Sequence, residues 1–265
     1  MPLGAARLNF LAKAPAAAVG DPNWPSVDGA SFEKSFASPI DTYNIFFKPD
    51  GTKMFVGSNT NVRQFTLSTA WDVGSTSYGG LYFTSAEDTN SYGTFFSTDG
   101  TKFYTIGATN DKIYQYTLSP AWDITTASYD SVSLDISSQD TTPTGLYFKS
   151  DGTKFWFVGL SSDIVYQYSL GTPWNLSTAS YDSKSFSVGS QESNPNDIFF
   201  SSNGKQMWVV GTTNDTVYEY DLSTEWDVST ASYNSISFSV AGQDGLPRGI
   251  FFKEDGSKML SLIHN

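Results

Sequence analysis

The sequence predicts an all-β fold: a β-propeller of about five blades, with four antiparallel strands per blade and a closing blade shared between the two ends of the chain. Three observations predict it. A turn containing glycine recurs at Asp50-Gly51, Asp99-Gly100, Asp151-Gly152, Asn203-Gly204 and Asp255-Gly256, at steps of 49, 52, 52 and 52 residues. Each turn follows an aromatic pair, such as Phe46-Phe47 or Phe199-Phe200, and precedes a second apolar run. A tryptophan recurs at 24, 71, 122, 174 and 226, and twelve residues later comes an apolar residue: Phe36, Phe83, Leu134, Phe186 or Phe238. Self-similarity at such a period is the signature of a repeat architecture.

Each run takes its place in one unit. The first two runs flank a turn that wants positive φ, which Gly supplies, so they form a hairpin. The third run alternates cleanly, as in Val165-Tyr166-Gln167-Tyr168-Ser169-Leu170, with Tyr and Leu on one face and Gln and Ser on the other. That period of two predicts a half-buried strand. A Trp-Asp-x-Ser-Thr turn follows, and a fourth run such as residues 185–188 completes the blade. The N-terminal region carries the end of a unit and residues 249–263 carry the beginning of one, so a ring closed between the two ends is expected, with no sheet edge exposed. The expected division is a leader of residues 1–20 and a propeller of residues 21–265.

Strand three of the closing blade belongs to neither end in this account. The spare segment is residues 7–12, where Leu8, Phe10 and Ala12 alternate with polar Arg7 and Asn9 before Leu11 breaks the pattern. Two roles stay open for it: a clasp strand against Lys258–Ile263, or a docking segment for oligomerisation.

Composition narrows function. The chain has a formal net charge of -12, with only 15 Lys and Arg among 265 residues, which argues against nucleic acid as a partner. There is no cysteine, and the single histidine is His264, so thiol chemistry is excluded and zinc or triad chemistry would rest on one terminal side chain. No apolar run reaches the roughly 20 residues that span a bilayer, so membrane insertion is not expected. The apolar stretch at the N-terminus is short and interrupted by Asn9, so ordinary secretory export is not expected either.

The Asp-Gly and Trp turns share one face of the ring, where local turn chemistry explains them. The inter-blade loops open on the other face and carry Asp41, Asp88, Asp140, Glu192 and Asp244; Asp111, Asp163 and Asp215 join them from the second hairpin. Carboxylates are therefore expected to ring the central opening. Capture of Ca²⁺ is one use for them and a soluble acidic surface is the other. No Asp-x-Asp-x-Asp-Gly loop is present, so no cofactor is expected. Tyr43 and Tyr92 sit on this face with Arg248 as a lone cation, which makes a carbohydrate site conceivable, since sugar faces stack on tyrosine. A glycosidase would need two carboxylates in different roles. The acids peculiar to one blade are Asp197, Glu219 (where sister blades have Gln64, Gln115 and Gln167) and Asp135, and two of these share a blade. No enzyme is expected.

The unit Phe47-Lys48-Pro49-Asp50-Gly51-Thr52-Lys53-Met54-Phe55-Val56-Gly57, with Val165-Tyr166-Gln167-Tyr168 and residues 172–181, resembles propeller repeats of bacteriophage and environmental bacterial proteins. The WD-repeat family fits poorly, because the period is too long and no Gly-His partner exists. The opening Met1-Pro2-Leu3-Gly4-Ala5-Ala6-Arg7-Leu8-Asn9-Phe10-Leu11-Ala12 resembles leaders of virion and tail-associated proteins of marine phages. That resemblance implies a non-enzymatic virion protein, tail-associated, acting as structural adaptor or host-attachment module within an oligomeric assembly. Its partners would be other virion proteins and a host glycan or receptor. The rival is a cell-surface or secreted glycan-binding propeller.

Overall fold

The computed structural model describes residues 6–13, 26–27, 30–38, 42–243 and 245–263. Strands β1 (Ala6–Lys13) and β2 (Ala30–Ser38) come first. Four meanders follow: β3 (Asn44–Phe47), β4 (Lys53–Gly57), β5 (Asn61–Leu67) and β6 (Thr76–Thr84); β7 (Ser91–Phe96), β8 (Lys102–Gly107), β9 (Lys112–Thr117) and β10 (Ser128–Asp135); β11 (Pro143–Phe148), β12 (Lys154–Gly159), β13 (Ile164–Leu170) and β14 (Ala179–Ser187); β15 (Pro195–Phe200), β16 (Gln206–Gly211), β17 (Thr216–Leu222) and β18 (Ala231–Ser239). The chain then adds β19 (Ile250–Phe252) and β20 (Lys258–Ile263). Each meander is a four-stranded antiparallel sheet, and the strands left over form one more in the order β19-β20-β1-β2. The fold is an all-β propeller of four-stranded blades.

The shared sheet shows how the two ends meet. β1 pairs antiparallel with β20, from Arg7 opposite Ile263 to Ala12 opposite Lys258. Its other edge pairs with β2 from Ala6 opposite Ser38 to Lys13 opposite Ala30. Of the two roles open to residues 7–12, the structure places them as the strand between, with both edges hydrogen-bonded. The register shifts between Phe10 and Leu11, as it does between Gln167 and Tyr168 in a sister sheet.

The first strands line the axis and pack in a cycle: β3 on β7, β7 on β11, β11 on β15, β15 on β19 and β19 on β3. Five rings mark that cycle. Phe46, Phe95, Tyr147, Phe199 and Phe251 meet edge to face in succession, with centroids 5.0, 5.4, 5.1, 5.3 and 5.3 Å apart, the last distance returning from Phe251 to Phe46. Edge-to-face pairs of this kind add roughly 0.5–1.5 kcal/mol each beyond the area they bury. The aromatic run that announces each hairpin in the sequence therefore also plugs the channel.

The Trp turns fold as the repeat requires. Trp71, Trp122, Trp174 and Trp226 adopt φ near +61°, and each backbone N–H donates to the carbonyl of the turn glycine, Gly51, Gly100, Gly152 or Gly204. The indole then lies on that glycine. A Cβ on Gly152, itself at φ +70°, would stand 2.5 Å from Trp174. Trp122 is buried and the other three are half-buried; Trp24 lies outside the described residues. The residue after each tryptophan caps a one-turn 3₁₀ segment, as Asp123 Oδ1 does by accepting from Thr125 N at 3.1 Å.

One expectation is corrected. The third strands are covered on both faces, not one, because neighbouring sheets pack face to face. Gln64, Gln115 and Gln167 are buried and accept the N–H of Ile124, Leu176 and Val228 in the next sheet's turn, at 3.0, 2.8 and 2.9 Å. The alternation of apolar and amide residues is real, but the amide side reads a neighbour instead of solvent.

Candidate functional site

Three residues before each ring of the aromatic cycle stand Tyr43, Tyr92, Thr144, Asn196 and Arg248. Tyr92, Thr144 and Asn196 each fall in a register shift of their strand, between Ser91 and Gly93, Pro143 and Gly145, and Pro195 and Asp197. A bulge of this kind re-aims a side chain at the end of a strand. These positions form the mouth of the axis on the face opposite the Asp-Gly turns.

The mouth is asymmetric. Tyr43 and Tyr92 meet edge to face with centroids 5.0 Å apart. The Arg248 guanidinium carbon sits 4.4 Å from the Tyr43 ring centroid, within cation–π range. All three side chains are half-buried, and the Arg248 Nε is buried without a hydrogen-bond partner among the described residues. The Tyr92 hydroxyl accepts from Asn90 Nδ2 at 3.0 Å. On the far side Thr144 is buried, its hydroxyl 3.0 Å from the carbonyl of Pro195, and Asn196 donates to the carbonyl of Asn194. Two aromatic rings and a guanidinium thus share one side of the mouth, contributed by three consecutive sheets. That arrangement can stack a planar or sugar ring and present donors to an anionic group.

Below the mouth lies a polar belt. Asp197 is fully buried; its carboxylate accepts from Ile198 N and Ile250 N at 2.9 Å each and from Asn44 Nδ2 at 3.2 Å. Asn44 Oδ1 in turn accepts from the Thr94 hydroxyl at 2.6 Å. Burial pushes the Asp197 carboxyl up to about 8, against the pull of its three donors. Gly145 leaves room for it, since a Cβ there would stand 2.6 Å from the Asp197 Cα. The space between belt and aromatic cycle is about 10 Å³, roughly what a single water needs.

The expected ring of carboxylates is corrected for three of its members. Asp88, Asp140 and Glu192 are buried, at 1%, 2% and 0% exposure. Each ties its loop to the hairpin of its own sheet: Asp88 accepts from Asn90 N and Asn110 N, Asp140 from Thr142 N and Ser162 N, and Glu192 from Asn194 N and Thr213 N. Gly107, Gly159 and Gly211 make the space, because a Cβ at each would fall within 2.4 Å of the corresponding carboxyl side chain. Asp41 and Asp244 lie outside the described residues. Asp111, Asp163 and Asp215 occupy left-handed turns, and burial with neighbouring acids raises their carboxyls. Among the described residues no three His, Asp or Glu side chains gather closely enough to hold a metal ion.

Glu219 takes the part of its glutamine counterparts, accepting from Val27 N at 3.1 Å and Trp208 Nε1 at 3.2 Å. Burial raises its carboxyl too. It shares no hydrogen-bond partner with Asp197, and Asp135 caps Ser137 N on the surface. These three acids form no common site. Asn44, Thr94, Thr144 and Asn196 were missed in the sequence. The signal was there for two of them: the mouth position varies as Tyr, Tyr, Thr, Asn and Arg inside a unit that otherwise repeats.

No protein-family model matches the chain, and no curated protein matches it. Solved structures do. A functionally unknown protein from Desulfotomaculum acetoxidans superposes with a TM-score of 0.51 at 12% identity, over 88% of this chain and 66% of that one. A Bacteroides uniformis protein named "putative 6-phosphogluconolactonase" superposes with a TM-score of 0.51 at 13% identity, over 94% of this chain and 73% of that one. At such identities the likeness is one of fold, and the chain spans about two thirds to three quarters of the length of these relatives.

Proposed function

We propose that the chain is a five-bladed, non-enzymatic binding propeller that recognises a glycan at its axial mouth and serves as a host-attachment or adaptor module of a virion. The blade count rests on five four-stranded sheets whose first strands pack in a cycle. One observation carries the binding reading: Tyr43, Tyr92 and Arg248 break the symmetry of the ring at the same point, and Tyr43 touches both of the others. Tyrosine faces suit sugar rings, and a guanidinium suits a uronate, sialate or sulfate group. The non-enzymatic reading is supported by Asp197, which is buried with its oxygens held by three donors, and by Glu219, which replaces a structural glutamine. The lactonase name of one relative is not carried over, because 13% identity conveys fold alone.

Virion placement rests on the leader and repeat resemblance, and with it the expectation of tail partners and oligomeric assembly. A secreted or cell-surface lectin is the second reading, and the same mouth would serve it. A glycan array tests the binding claim. Acidic glycans should be retained by the wild-type protein and lost by Tyr43→Ala and by Arg248→Met, with circular dichroism unchanged and no shortening of the bound saccharide. Retention unaffected by either substitution sinks the site. Cleavage of the saccharide sinks the non-enzymatic reading, and electron microscopy of particles labelled for this protein separates virion from lectin.

A further inference from the structure

The aromatic cycle closes the axis from the mouth side and leaves a basin of about 140 Å³ on the face of the Asp-Gly turns. The five rings form its floor, Trp71 flanks it, and its rim is Pro49, Thr98, Ser150, Ser202 and Glu254. Those rim residues occupy one repeat position, immediately before each turn Asp or Asn, and only Glu254 is ionisable. Its carboxylate is exposed and makes no ion pair or hydrogen bond among the described residues. No basic residue lines the basin. The lysines that follow three of the aromatic pairs, Lys48, Lys149 and Lys253, are each paired with a turn acid, Asp50, Asp151 and Asp255.

We propose that this basin binds a quaternary ammonium group, with Glu254 as its counter-charge. Aromatic rings attract a cation placed within about 6 Å of their faces, and methylated ammonium is the cation they hold best. An unmethylated ammonium brings N–H donors that must be satisfied, whereas the floor is built of aromatic rings whose one hydroxyl, on Tyr147, is already engaged with the Phe200 carbonyl at 3.2 Å. A trimethylammonium head has no donors, so it loses least on leaving water. Its size fits as well, since apolar cavities of about 150 Å³ take up a benzene-sized solute. The net charge of -12 adds a long-range attraction for cations. The basin lies on the face opposite the Tyr43–Arg248 mouth, so the two sites stand or fall separately.

Choline tests the assignment against its neutral isostere 3,3-dimethylbutan-1-ol, in which a tert-butyl group replaces the trimethylammonium. Titration followed by tryptophan fluorescence, with Trp71 beside the basin, should show choline binding about tenfold more tightly than the alcohol. Glu254→Gln, an exposed and fold-neutral change, should remove most of that difference and leave the alcohol's affinity unaltered. Equal affinities, no saturable response to choline, or an unchanged preference in Glu254→Gln overturns the proposal. Co-sedimentation with phosphatidylcholine vesicles, competed by free choline, would assign the group to a lipid headgroup; choline binding without sedimentation would assign it to a free solute.

Discussion

Asp197→Asn should flatten the pH dependence of stability, and its size follows from where that carboxyl sits. Burial raises it to about 8 in the folded chain, from the 3.8 of an unperturbed aspartate. Below pH 4 both folded and unfolded states hold the proton, and the site costs nothing. Between pH 4 and 8 the unfolded chain ionises while the folded one keeps its proton, so the unfolded state binds fewer protons and stability falls as pH rises. Each unit costs about 1.4 kcal/mol, for a total on the order of 5 kcal/mol by pH 8 and little change above it. Asparagine abolishes this slope but must turn an N–H toward one of the donors Ile198 N, Ile250 N or Asn44 Nδ2. Asn44 can flip and let the Thr94 hydroxyl accept, while one backbone N–H is left unpaired, at about 1–3 kcal/mol. The variant should therefore be the less stable protein at pH 4 and the more stable one at pH 8. Urea unfolding at pH 4, 6, 7.5 and 9 reads this directly, and the difference between the two proteins cancels every other titrating group. Parallel stability curves would refute the reasoning.

Two further predictions test the ring itself. Deleting residues 1–13 removes β1 and exposes the facing edges of β20 and β2, so calorimetry should show a melting temperature lower by about 10 °C or more; an unchanged melting temperature rejects the clasp. In the sheet of β15–β18, Glu219→Gln and Asn234→Asp should each destabilise, because the first sets two amides and the second two acids against one another, while the double variant should recover about 1 kcal/mol or more relative to the sum. Strict additivity in that cycle would show that the two side chains do not share a charge.

That second cycle also shows what could be read from the sequence and what could not. The turns, the aromatic pairs and the tryptophans were legible because their local geometry admits few residues: Gly152 has no room for a Cβ under Trp174. Glu219 looked peculiar when compared with Gln64, Gln115 and Gln167 alone. Folding brings it beside Asn234 and Gln206, at 3.0 and 3.1 Å. In the preceding sheet the matching trio is Gln167, Asp182 and Lys154, with Asp182 accepting from both others. The acid has moved from the fourth strand to the third, its amide partner has moved the other way, and the lysine that balanced it has become glutamine. A single-position comparison sees an odd carboxylate; the register across three strands shows one acid in each trio. The loop acids misled for the same reason. Asp88, Asp140 and Glu192 repeat like surface residues, and only the glycine at the end of each second strand, Gly107, Gly159 and Gly211, marks the space that takes them inward. The mouth is different again. Tyr43, Tyr92 and Arg248 occupy one repeat position, but Arg248 is 205 residues from Tyr43 in the chain and 4.4 Å from its ring in space. That distance is set by β19 packing against β3, so the site exists only because the last sheet closes on the first.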